Sequence, residues 1–91
     1  MPPDDFKAWR LALGYSQAEA AAALGLSRAT IQLYERGQRH EDARPVEIPP
    51  AVILACDTLS LNRAAETGNL DLLTGPVRQR VEALAGLLRK A

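Results

Sequence analysis

The side chains best equipped for selective chemistry lie in the run SRATIQLYERG, from Ser27 to Gly37. Arg28 carries a planar fork of N–H donors able to make a bidentate contact with a guanine edge, and Gln32 carries an amide that both donates and accepts. Arg36 and Arg39 follow, cations of the kind that meet phosphate or solvent more often than bases. Catalysis finds no comparable grouping. His40 has no metal or acid–base partner nearby in the sequence, and Cys56 reads as a small core residue on an apolar helix face. The loop carboxylates Glu41, Asp42 and Glu47 read as solubilising groups, or as a contact surface for a basic partner protein. With no Gly-rich phosphate loop, metal-ligand cluster or nucleophile paired to a base, we expect no enzyme activity, no cofactor and no metal.

Two short helices are needed to present these side chains, and the sequence punctuates both. Ser16 and Glu19 form an S-x-x-E capping box, which starts a helix at Gln17. Its body, AEAAAAL, is strong in helix propensity and thin in side chain, so another helix can approach closely. Gly25 supplies the positive φ common at a helix C-terminus. Leu26 plugs the turn. Ser27 then caps a helix from Arg28 to about Arg36, with Gly37 as its stop. On that helix Ile31 and Tyr34 point inward, while Arg28, Ala29, Gln32 and Leu33 point in other directions.

Upstream, Pro2 and Pro3 precede Asp4 and Asp5, acids suited to the positive end of a first helix. Phe6, Trp9 and Leu13 form its apolar stripe, and Gly14 ends it. Lys7 faces solvent and Arg10 sits beside the stripe. Downstream, QRHEDARPVEIPP is a polar loop without helical periodicity. Ile48 and the proline pair lead into a fourth helix with Val52, Cys56 and Leu59 on its buried face. That helix ends either near Ser60 or at a stop at Gly68. Asn69 caps a short turn, Pro76 opens a last helix from Val77 to about Lys90, and Val77, Val81, Leu84 and Leu88 form a 4-3-4 seam too short to be stable alone.

Ninety-one residues, 47% of them apolar and very few aromatic, suit one small set of closely packed helices. The fold class expected is all-α. Residues 1–68 would form the first domain, and 69–91 a helical extension suited to dimerisation. Charge is balanced, 11 Lys plus Arg against 11 Asp plus Glu, so binding to a polyanion would depend on basic groups gathered on one face. Arg28, Arg36 and Arg39 give the region from Leu26 to His40 such a surplus. The single cysteine, the lack of a signal-like N-terminus and the lack of a membrane-length apolar run suggest a cytoplasmic protein with no membrane partner.

Taken together, SQAEAAAALGLSRATIQLYERG resembles the DNA-binding core of the Xre/Cro family of phage and bacterial repressors. The family combines a Ser/Thr-Gln start, a small residue in mid-helix (here Ala21), a Gly turn and an aromatic-Glu-x-Gly ending. The likeness extends back through Phe6 and Arg10 and forward to about Leu59, and the loop from Gln38 to Pro50 is longer than the usual connection. It implies a compact, lambda-repressor-like helix-turn-helix of four to five helices, followed here by the C-terminal helix. It also implies a double-stranded DNA partner, with Gln17 on a phosphate and Ser27, Arg28, Ala29, Gln32 and Leu33 facing the groove. Phosphate contacts from Arg36 and Arg39 would join that of Gln17. Leu33 stands where relatives often carry a polar base reader, so it either meets a thymine methyl or leaves readout to Arg28 and Gln32. The resemblance further implies an ion pair between Arg10 and Glu35.

Three functions fit these residues. One is a homodimeric repressor that reads an inverted repeat, with Val77, Val81, Leu84 and Leu88 at its interface. The second is an antitoxin-like protein that holds a partner toxin through its last third and regulates its own operon. A helical adaptor that has lost DNA binding is the third. The seam serves the first two only if it is not consumed in covering its own subunit.

Overall fold

The computed structural model describes residues 1–38 and 44–91. They are helical except for short connections and one isolated antiparallel bridge between Gln38 and Pro45. Among the described residues five α-helices follow in order: α1 (Pro3–Ala12), α2 (Gln17–Leu24), α3 (Arg28–Arg36), α4 (Pro50–Thr67) and α5 (Gly75–Lys90). A 3-10 turn, Leu70–Leu72, precedes α5. The chain divides into two units, residues 1–56 and 57–91, with the division falling inside α4.

Local chemistry sets the helix ends. α1 begins on Pro3, whose missing N–H costs nothing in a first turn, and carries Asp4 and Asp5 against the positive end of the helix dipole. α2 has the full capping box: the Glu19 amide donates to Ser16 Oγ at 3.1 Å and the Ser16 amide donates to Glu19 Oε1 at 2.9 Å. Ser27 caps α3 through the Thr30 amide at 3.1 Å. Gly25 and Gly37 close α2 and α3 in the left-handed region. The fourth helix takes the longer of its two expected courses and runs through Thr67 to Gly68. Asn69 caps the 3-10 turn, its Oδ1 accepting from the Asp71 amide.

In the first unit the apolar stripe of α1 is the organising surface. Phe6, Trp9 and Leu13 are buried together with Ala20 and Ala21 of α2, Ile31 and Tyr34 of α3, Ile48 and Cys56. Phe6 meets Trp9 with ring centroids 5.5 Å apart and Tyr34 edge-on at 5.6 Å, arrangements that suit aromatic quadrupoles. The buried Trp9 indole donates to the Cys56 carbonyl at 3.1 Å. Small side chains on α2 let α3 close against it, as the alanine run predicts.

The second unit has a smaller core. Ala64, Leu73 and Val77 are buried, with Leu72 and Val81 packed beside them. The 4-3-4 seam is therefore divided. Val77 and Val81 serve their own unit, whereas Leu84 and Leu88 are 59% and 76% exposed.

Candidate nucleic-acid interface

Everything that presents α3 to a partner is held from behind. Ile31 is fully buried and Tyr34 nearly so, which fixes the rotation of the helix about its axis. Arg28, Ala29 and Gln32 then stand exposed, and Leu33 is half-buried. The N-terminus of α3 adds backbone N–H groups without intrahelical acceptors and the positive end of a helix dipole, both attractive to an anion.

The Arg10–Glu35 pair that the family resemblance implies is present. It is bidentate, with Nε and Nη2 each donating at 2.9 Å to a separate Glu35 oxygen. Both side chains are nearly buried, 10% and 8% exposed. The remaining edge of the guanidinium donates from Nη1 to the Tyr15 carbonyl at 2.9 Å, and the Tyr15 amide returns a bond to the Arg10 carbonyl at 3.0 Å. Arg10 thus joins α1, the turn before α2, and α3. The pair also has an electrostatic consequence. Glu35 is the one acid on α3, and its charge is turned inward and neutralised, so the exposed side of the helix carries Arg28 and Arg36 unopposed by an acid of its own. A chain of zero net charge can therefore still offer a positive face.

Gln17 and Gln32, which the sequence assigns to separate tasks, lie together. Gln32 Nε2 is 3.4 Å from Gln17 Oε1, a long hydrogen bond linking the first residue of α2 to the exposed side of α3. Ser27 is more occupied than expected. Its hydroxyl accepts from the Thr30 amide and shares a second hydrogen bond, 2.9 Å long, with Thr30 Oγ1. Arg36 is exposed at the end of α3, where its Nε donates to the Gln38 carbonyl at 2.6 Å. Arg39, expected to contact phosphate, lies outside the described residues, as do His40, Glu41 and Asp42.

Three features of this site escape sequence reasoning. The use of Tyr15 as a backbone acceptor and the Gln17–Gln32 bond join residues 5 and 15 positions apart in the chain, through geometry that no periodicity encodes. The third is the close approach of Pro3 to Gly37. The Tyr15 ring packs edge-on against Trp9 with centroids 6.0 Å apart.

Among the described residues no group of His, Cys, Asp or Glu could hold a metal ion, and no helix is long and apolar enough to cross a membrane. The model of a family described as helix-turn-helix matches residues 6–40, the stretch from the buried Phe6 through α3 and just beyond. No curated protein and no solved structure matches the chain.

Proposed function

We propose that this protein is a dimeric DNA-binding repressor of the Xre/Cro type that reads an inverted repeat, a reading supported by the helix-turn-helix family model that matches residues 6–40. α3 would lie in the major groove while α2 braces across the backbone. The observation that carries this reading is the exposed side of α3. Arg28, Ala29 and Gln32 are presented together, Gln17 is joined to Gln32, and the only acid of the helix is withdrawn by Arg10.

In this arrangement Gln17 and Arg36 position the protein on phosphates, and Arg28 and Gln32 discriminate bases. Leu33, half-buried, contributes at most an apolar contact to a thymine methyl. Such a reduced polar readout covers a short half-site. Two subunits would restore selectivity by reading half-sites about one helical turn, or a multiple of it, apart.

Binding-site selection with wild type and Arg28→Ala tests the assignment. Loss of Arg28 should cost about 1 to 3 kcal/mol at one base position per half-site and leave the other positions unchanged. An identical preference at every position would remove Arg28 as a reader. Titration against the protein's own promoter at rising salt tests the broader claim. Affinity should fall steeply and linearly on a log–log plot, with a slope of about −0.9 for each phosphate neutralised. No saturable binding at low salt would instead mark a helical adaptor.

A second reading, an antitoxin-like protein holding a partner toxin through its last third, draws support from the exposed Leu84 and Leu88 of α5. Co-purification of a stoichiometric partner on that helix would favour it.

A further inference from the structure

Arg36 is held by a partner that leaves its charge intact. It stands exposed in the last turn of α3, where the negative end of the helix dipole favours a cation. Its Nε donates to the Gln38 carbonyl at 2.6 Å, and among the described residues its Nη1 and Nη2 make no hydrogen bond or ion pair. Arg10 differs in this respect. Glu35 fixes its guanidinium and cancels its charge, whereas a backbone carbonyl fixes that of Arg36 and cancels nothing. That carbonyl is itself placed by the chain returning from the long connection. Gly37 turns the backbone left-handed at φ 82°. Its own carbonyl accepts from the Val46 amide at 3.0 Å, and Gln38 forms the antiparallel bridge with Pro45. Two residues beyond Val46, Ile48 is buried in the core. The peptide that anchors Arg36 is therefore tied to the first unit through Val46 and Ile48 as well as through α3.

We infer that the base of this connection, Gln38 with Pro45 and Val46, is a positioning element that preorganises Arg36 as an end-on phosphate fork, with Nη1 and Nη2 donating to two oxygens of one DNA phosphate. This rests on the DNA-binding reading above, and it gives residues beyond the family match a part in recognition. With Nε committed, the side-on pairing of Nε and Nη2 is closed, and the end-on pair is the bidentate one left. An unattached exposed arginine surrenders rotamer freedom when it meets a phosphate, whereas one already fastened at Nε has less to surrender. Lysine cannot copy the arrangement. Its charge sits on the tip of an unforked stem, so a bond to the Gln38 carbonyl would direct the same ammonium that has to meet the phosphate.

Two measurements test this, the first on the free protein. In NMR relaxation the Arg36 Nε–H should be as ordered as the backbone amides, unlike that of the exposed Arg28, and Val46→Pro should release it. That substitution removes the Val46 amide and asks of Pro45 the extended conformation it already has in the bridge. The second uses a duplex carrying the site that wild type selects. Arg36→Gln should flatten the log–log salt dependence by about 0.9 for each subunit bound. Arg36→Lys should keep the wild-type slope and weaken binding roughly 3- to 10-fold, the ordering cost returned. Val46→Pro should weaken binding by a similar factor in wild type and not at all in the Arg36→Gln protein, a coupling that general destabilisation does not produce. An Nε–H as mobile as that of Arg28 would overturn the inference, as would an Arg36→Lys protein of wild-type affinity or an Arg36→Gln protein of unchanged slope. Equal losses from Val46→Pro in the two backgrounds would also overturn it, by removing the base of the connection from the placing of Arg36. Should Val46→Pro fail to fold, the relaxation of wild type and the Lys–Gln comparison decide the matter. An ordered Arg36 in a protein that binds no DNA would refute the regulatory reading and the phosphate contact with it, whereas tight, salt-dependent binding with a mobile Arg36 would refute this inference alone.

Discussion

Arg10→Met will destabilise the protein by about 3 to 5 kcal/mol, because it leaves the Glu35 carboxylate buried without its counter-charge. For a small domain whose total stability is on the order of 5 to 15 kcal/mol, that approaches unfolding at ordinary temperature. The loss will appear as a lowered urea midpoint with little change in slope, since the surface exposed on unfolding is nearly the same. Glu35→Leu will be damaging for the converse reason, with the guanidinium retaining the Tyr15 carbonyl as its remaining acceptor. The double variant is the informative one. With both charges gone, no ion is stranded, and stability should return most of the way toward wild type, short of it by roughly 1 kcal/mol for the hydrogen bond lost at Tyr15. If the double variant were as unstable as the two single losses added together, the pair would not be acting as a unit.

The same substitutions separate folding from recognition. At a temperature where the double variant is folded, its α3 still has Ile31 and Tyr34 behind it but lacks the link through Arg10 to α1 and the turn before α2. Affinity for DNA should fall through orientation, with base preference at the Arg28 position retained. A changed preference there would mean that the pair shapes readout directly.

The helix ends and the inward sides of the first unit were legible because they depend on interactions a few residues long. The Ser16–Glu19 box, the Ser27 cap, the glycine stops and the Phe6–Trp9–Leu13 stripe are all local, and each appears where its residues stand. The ion pair was legible only through the family resemblance, since Arg10 and Glu35 are 25 positions apart. What stayed hidden was tertiary. Residues of the 4-3-4 seam are equivalent as a pattern, yet Val77 and Val81 meet a core while Leu84 and Leu88 do not, because a periodicity states which residues share a side and not how far along that side the neighbouring chain extends. Gln17 and Gln32 likewise carry no mark of each other in the sequence.

Gly37→Ala will be the most damaging of the six glycine-to-alanine changes, for two reasons that can be separated. Gly37 ends α3 at φ 82° and ψ −2°, where any side chain costs roughly 1 to 2 kcal/mol. In addition, a Cβ built there would stand 2.6 Å from Cγ of Pro3. That ring cannot swing aside like the tip of a long side chain, so the N-terminal turn of α1 or the end of α3 must shift, at an overpacking cost of about 1 to 3 kcal/mol more. Gly25 isolates the first contribution: at φ 70° its conformation is similar, and no atom lies within 4 Å of an added Cβ. Gly25→Ala should therefore cost roughly 1 to 2 kcal/mol, and Gly37→Ala clearly more. Introducing Pro3→Ala removes the Cγ contact but keeps a Cβ 3.3 Å away, so it should recover most of the excess of Gly37→Ala, a coupling that a double-mutant cycle reads directly. The functional stake lies at the end of α3, because the Gly37 amide donates to the Leu33 carbonyl while its own carbonyl accepts from Val46 at 3.0 Å. A methyl that displaces this junction tilts the helix that bears Arg28 and Gln32. DNA affinity of the folded Gly37→Ala protein should then fall, while Gly25→Ala, with open space around it, should bind nearly as wild type. Equal stability loss at the two glycines would show that α1 yields to the added methyl without cost, and that the Pro3 contact does not set the position of α3.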